Sequence, residues 1–126
     1  MAPNAIDLMG KLQQQLEESP DLVKPISSDK PFTINRLSDF RIGRIRLWIL
    51  DAEFQVIGEI AVSSDNNHRK NGAMNFRFFA NGNSENYFVF VQSEENATET
   101  ISHLITRFGN FISGKTNQPL NNSQEP

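Results

Sequence analysis

The string with the most chemistry in it is Gly109-Asn110-Phe111-Ile112-Ser113-Gly114-Lys115-Thr116, which satisfies the G-x-x-x-x-G-K-[ST] pattern of a phosphate-cradling loop. That motif works when a strand precedes it and a helix follows, so that backbone N–H groups and the positive end of a helix converge on the phosphates. Here Phe111 and Ile112 continue the apolar stripe of a helix that comes before, and only the short run Asn117 to Pro126 follows. With the order reversed, Gly114-Lys115 is expected to terminate a helix rather than to hold a nucleotide.

The other reactive side chains are scattered. There are two histidines, His68 in a polar run and His103 opposite an apolar stripe, and no cysteine. Two isolated imidazoles without thiolates or a His-x-x-x-His spacing do not make a metal site, and a chain without thiols has neither a cysteine nucleophile nor a disulfide framework. The acidic pairs Glu17-Glu18 and Glu94-Glu95 are sequence neighbours in helix-end or turn contexts, where they supply solubility or favourable first-turn charge rather than acid and base. No nucleophile elbow is present. No catalytic residue, metal or cofactor is therefore expected, and the chain is read as a non-enzyme.

The grouping that remains is aromatic and cationic: Arg44, Arg46, Trp48, Arg77, Phe79, Phe88 and Phe90. Guanidinium forks suit carboxylates and phosphates, and Trp, Phe and Arg are the residues enriched in interface cores. These residues do this work only if something places them side by side.

That something is a sheet. In Ile42–Leu50, Ile45, Leu47 and Ile49 alternate with Arg44, Arg46 and Trp48, the period-two signature of a strand with one buried face. In Phe54–Val62 the apolar role falls to Phe54, Val56, Ile60 and Val62. A turn of two or four residues around Asp51–Phe54 pairs odd with even positions; a three-residue loop would spoil the core face. The even-length turn also brings Glu59 near Arg44 and Arg46 on the other face. Met74–Ala80 and Tyr87–Val91 form two further strands joined through Asn81-Gly82-Asn83-Ser84, Asn-Gly being the strongest hairpin signal in the chain. Met74, Phe76 and Phe78 then share a face with Tyr87, Val89 and Val91. The outward set by this register is Arg44, Arg46, Trp48, Ile57, Glu59, Asn75, Arg77, Phe79, Phe88 and Phe90. Ser63–Gly72 is polar throughout and expected to be an exposed loop, and Phe32-Thr33-Ile34 is a candidate fifth strand at the edge.

Helices flank the sheet. Asn96-Ala97-Thr98-Glu99 has the residues of a capping box, and Ile101, Leu104, Ile105, Phe108 and Ile112 form one stripe that should cover one sheet face. Gly109, inside that helix, marks either close approach to the sheet or the helix end. Ile6, Met9, Leu12 and Leu16 predict a short amphipathic helix over 4–18, with Asn4 as N-cap. Ser19–Pro31, with three prolines, is expected to be an extended linker. The fold class is thus α+β: a four-stranded antiparallel meander, five if the edge strand forms, with a C-terminal helix on one face and a short N-terminal helix. Residues 1–31 form the helix and linker, 32–113 the domain, and 114–126 a disordered tail. The order of four strands and then a helix resembles the repeat of the Whirly and PUR single-strand binders, in topology and without a shared motif.

Composition narrows the function. A net charge of −3 argues against a surface that is everywhere a trap for phosphates, yet Arg36 to Arg77 carries seven basic residues against five acidic ones, which permits a local basic patch. Apolar runs are too short to cross a bilayer and no secretory segment is evident, so no membrane partner and a cytoplasmic location are expected. A sheet face bearing Trp, Phe and Arg is too apolar to be left to water. Three coverings are open, in this order: the chain's own N-terminal helix, a second copy or partner segment, and single-stranded nucleic acid aided by His68, Arg69 and Lys70. The expected function is a protein-binding module, an adaptor or assembly factor, homodimeric and acting through this face or an edge strand. Single-stranded nucleic-acid binding by the same face is the alternative.

Overall fold

The computed structural model describes residues 5–39, 44–63, 73–90 and 94–115. Five strands, β1 (Thr33–Asp39), β2 (Arg44–Leu50), β3 (Val56–Ser63), β4 (Ala73–Ala80) and β5 (Asn83–Phe90), form one antiparallel sheet in simple meander order. The candidate edge strand is real, and it runs on to Asp39. With five strands ahead of the last helix, the order departs from the four-strand repeat of the Whirly and PUR binders.

The β4–β5 hairpin closes on Asn81 and Gly82 alone, with φ values of 55° and 78°. Both lie in the left-handed region that a type I′ turn requires, which is why Asn-Gly occupies it. The expected four-residue connection is therefore two residues, and β5 begins at Asn83 rather than Tyr87. The face assignment is as expected, because both lengths are even: Met74 lies opposite Val89 and Phe76 opposite Tyr87. Val91 lies outside the described residues.

The β2–β3 connection differs from expectation in an instructive way. Asp51 N–H donates to the Gln55 carbonyl (3.0 Å) and Phe54 N–H to the Asp51 carbonyl (2.9 Å), closing a three-residue loop with Phe54 at φ 62°. The Asp51 carboxylate, through Oδ1, accepts from the N–H groups of Glu53 and Gln55 at 2.9 Å each and braces the loop. An odd loop ought to set core residues against solvent-facing ones. It does not, because the register slips between Leu50, opposite Val56, and Ile49, opposite Gly58. Ile57 is the extra residue of a β-bulge, and beyond it Leu47 meets Ile60 and Ile45 meets Val62. Phe54 and Val56, expected in the core, lie before the bulge and are 76% and 48% exposed. Ile57, expected to face outward, is half-buried and packs against the core.

Three helices, α1 (Ala5–Glu17), α2 (Pro20–Ser27) and α3 (Glu94–Ile112), complete the described residues. α1 packs on β1, β2 and α3; α2 on β3 and α3; α3 on β4. Leu8, Met9, Leu12 and Leu16 of α1 join Leu47, Ile49, Ile60, Phe76, Phe78, Leu104 and Phe108 in one core. Phe108 meets Phe78 edge to face at 5.2 Å. Two expectations are corrected here. The N-terminal helix, the first candidate to cover the second face of the sheet, docks beside α3 on the first. The expected linker contains α2, which starts at Pro20, where a missing N–H is harmless, and buries Val23.

Glycines allow the close fit. A Cβ on Gly58 would come within 2.8 Å of the Ile26 side chain, so α2 sits directly over the bulge. Gly109 is the site of a close approach too, but to Leu22 of α2 (3.3 Å) rather than to the sheet. α3 starts at Glu94, two residues ahead of the expected capping box, which places Asn96 inside the first turn. At its other end Gly114 N–H donates to the Phe111 carbonyl (3.2 Å) and Lys115 N–H to the Asn110 carbonyl (2.8 Å), with Gly114 at φ 81°. This is a Schellman cap. The phosphate-loop string thus ends a helix and surrounds its carbonyls, the wrong pole for an anion. No helix among the described residues is long and apolar enough to cross a membrane.

Docking of α1 predicts that Leu12→Ala, at a fully buried site, lowers the urea-unfolding free energy by about 2–5 kcal/mol; a free-swinging helix would give no loss. Phe54→Gly should raise it by about 1–2 kcal/mol, since glycine relieves the left-handed backbone and the exposed ring forfeits little burial.

Candidate binding face

With every helix among the described residues on one side, the other side of the sheet shows its side chains in cross-strand rows. The first row reads Asn35, Trp48, Glu59, Phe79 and Ser84; the second Leu37, Arg46, Ala61, Arg77 and Asn86; the third Asp39, Arg44, Ser63, Asn75 and Phe88. Phe90 extends the β5 column opposite Ala73. All seven residues singled out for a contact surface, Arg44, Arg46, Trp48, Arg77, Phe79, Phe88 and Phe90, therefore share this face. Period-two alternation and two fixed registers force that result.

The rows explain the shape. The centre of the face, on β3, carries the small residues Ala61 and Ser63, while long side chains rise from β2 and β4 on either side. The result is a shallow concavity of about 430 Å³ lined by Arg44, Arg46, Glu59, Ala61, Ser63, Asn75, Arg77 and Phe79, with Val62 at its margin. Arg46 and Arg77 stand one strand to each side of Ala61, about 9–10 Å apart at the backbone, with Ala61 only 8% exposed beneath them. Two guanidinium groups thus flank a small apolar floor, an arrangement whose charge and fork geometry suit carboxylates and phosphates.

Several of these groups are already oriented. Trp48 Nε1–H donates to Glu59 Oε1 at 2.8 Å, a bond between cross-strand partners that fixes the indole and occupies the acid at the centre of the face. The expectation had Glu59 near Arg44 and Arg46; its direct partner is Trp48. Arg77 Nε–H donates to Asn86 Oδ1 at 2.9 Å, and its guanidinium carbon lies 5.4 Å from the Phe79 ring centroid, so a hydrogen bond and a cation–π contact hold it upright. The Asn75 Oδ1 atom, at the edge of the concavity, is buried with no hydrogen-bond partner among the described residues. Phe88 and Phe90 are 53% and 55% exposed on the outermost strand.

Sequence reasoning missed the contributions of β1, which brings Asn35, Leu37 and Asp39 into the rows, and the clamp that Asn86 places on Arg77. The ion pair Arg107–Glu85 (3.6 Å) was also missed, and it belongs to the helix side. His103 is exposed on α3; His68, Arg69 and Lys70 lie outside the described residues. Among the described residues no group of three or more His, Cys, Asp or Glu side chains is placed to hold a metal. Searched against protein families, curated proteins and solved structures, the chain matches none.

Glu59→Ala would strand the Trp48 N–H. We expect a loss of about 1 kcal/mol in unfolding free energy and a change in the emission of the only tryptophan, both read in one fluorescence-monitored denaturation.

Proposed function

We propose that the protein is a non-enzymatic binding module, an adaptor or assembly factor, that holds an acidic segment of a partner protein on the open face of its sheet. One observation carries this: Arg44, Arg46 and Arg77 converge on a concavity in which the only lining acid among the described residues, Glu59, is engaged by Trp48. A carboxylate-bearing segment pairs with the guanidinium forks, and its apolar side chains find Phe79, Phe88 and Phe90. Charge complementarity of this kind steers encounter and fixes register. A reducing, cytoplasmic setting fits a chain without cysteine.

Single-stranded nucleic acid would use the same aromatics and arginines. A polyphosphate carries a charge at every nucleotide and so meets more of the chain's net charge of −3 than a short acidic segment does.

The test is fluorescence polarisation with a labelled peptide alternating Asp or Glu with Leu or Phe, against a single-stranded oligonucleotide of equal charge. We expect saturable peptide binding, weakened at least tenfold by Arg46→Glu combined with Arg77→Glu, a change of about 1.4 kcal/mol or more. Retention of the oligonucleotide alone, lost steeply between low and moderate salt, would replace this reading with the nucleic-acid one.

A further inference from the structure

The sheet has two edges, and the chain treats them differently. At β1, α1 reaches over the edge: Gln13 Nε2–H donates to the Ile34 carbonyl at 3.1 Å, so one outward-pointing backbone acceptor is already occupied. The same strand carries the charges of Arg36 and Asp39. Capping contacts and charged side chains are the ordinary means by which an edge is kept from pairing with another strand.

β5 has none of these protections among its described residues. Its two-residue turn fixes Ala80 and Asn83 as a hydrogen-bonded pair, so by alternation Asn83, Glu85, Tyr87 and Val89 bond to β4, while Ser84, Asn86, Phe88 and Phe90 point N–H and C=O away from the sheet. The strand has no proline, no bulge and no basic residue. Its one charge, Glu85, faces the helix side and is paired there with Arg107. The two side chains that stand beside the free backbone groups, Phe88 and Phe90, are more than half exposed.

We propose that β5 pairs antiparallel with β5 of a second copy of this chain, joining two five-stranded sheets into one of ten. The edge is self-complementary, which a two-fold dimer requires. Identical strands present the same row of donors and acceptors, and with Glu85 neutralised within its own chain no like charges meet across the axis. The register that engages every outward residue sets Asn86 against Phe88 and Ser84 against Phe90 of the second copy. Each exposed ring then gains a neighbour on the open face, and the two arginine concavities lie side by side on one continuous surface. This inference does not depend on what the open face binds.

Sedimentation equilibrium and amide hydrogen exchange test it. The expected result is twice the chain mass at high micromolar concentration, falling to one chain on dilution, with slowed exchange of the Asn86 and Phe88 amides only in the concentrated sample. Asn86→Pro removes an outward N–H without touching the β4 ladder and should give a folded monomer by circular dichroism. Asn86→Ala, which loses the Arg77 contact but keeps the N–H, should remain a dimer. A monomer at every concentration overturns the proposal, as does a dimer whose Asn86 and Phe88 amides exchange freely, or one that survives in folded Asn86→Pro. Should that variant fail to fold, exchange in the unaltered chain decides. Arg46→Glu on β2 should leave the mass unchanged while weakening the acidic peptide, so this proposal and the functional one fail separately.

Discussion

One inserted residue holds the two faces of this protein apart. The three-residue loop after β2 sets even positions of β2 opposite even positions of β3, and without correction Leu47 would meet Glu59 and Ile45 would meet Ala61. Ile57, the extra residue of the bulge, shifts the pairing so that Leu47 meets Ile60 and Trp48 meets Glu59. A charged side chain in the core would cost far more than a loop residue in the left-handed region, so the strain at Phe54 is the smaller term. The bulge also bares the backbone at Gly58, where Ile26 settles and ties α2 to the sheet.

From that separation follows an uneven division of helices. Five strands offer more apolar area on one side than α3 alone can cover: Ile34, Ile45, Leu47 and Ile49 lie under α1, while Phe76 and Phe78 lie toward α3. α1 is drawn to the uncovered half, because Leu8, Met9, Leu12 and Leu16 gain full burial there. Over the arginines they would have met guanidinium groups in need of water. The side left open is therefore a consequence of core formation, and its small central residues, Ala61 and Ser63, make it concave.

Much of this was legible in the sequence, unevenly and for physical reasons. β4 and β5 were legible because Asn-Gly fixes turn type, and turn type fixes register. β1 was half legible because only Ile34 of its residues is buried, and a single buried position has no period. α2 was hidden by Pro20 and Pro25, which mark a linker in composition, although Leu22, Val23 and Ile26 carry helical spacing. The three-residue loop reads as incompatible with the core, since a bulge leaves little trace in residue types. The seven contact-face residues came out together because alternation is rigid; whether a helix would lie over them depended on where the chain turned back after α2, and local pattern does not carry that.

The Trp48–Glu59 bond has an optical consequence. The core is built from Phe, Leu, Ile, Val, Met and Ala, and the chain's one indole stands outside it, on the arginine side of the sheet. Intrinsic emission therefore watches the open surface and the β2–β3 ladder, not the packing beneath. A molecule that settles among the arginines will change the signal with the fold untouched, whereas loosening of the helices will register late.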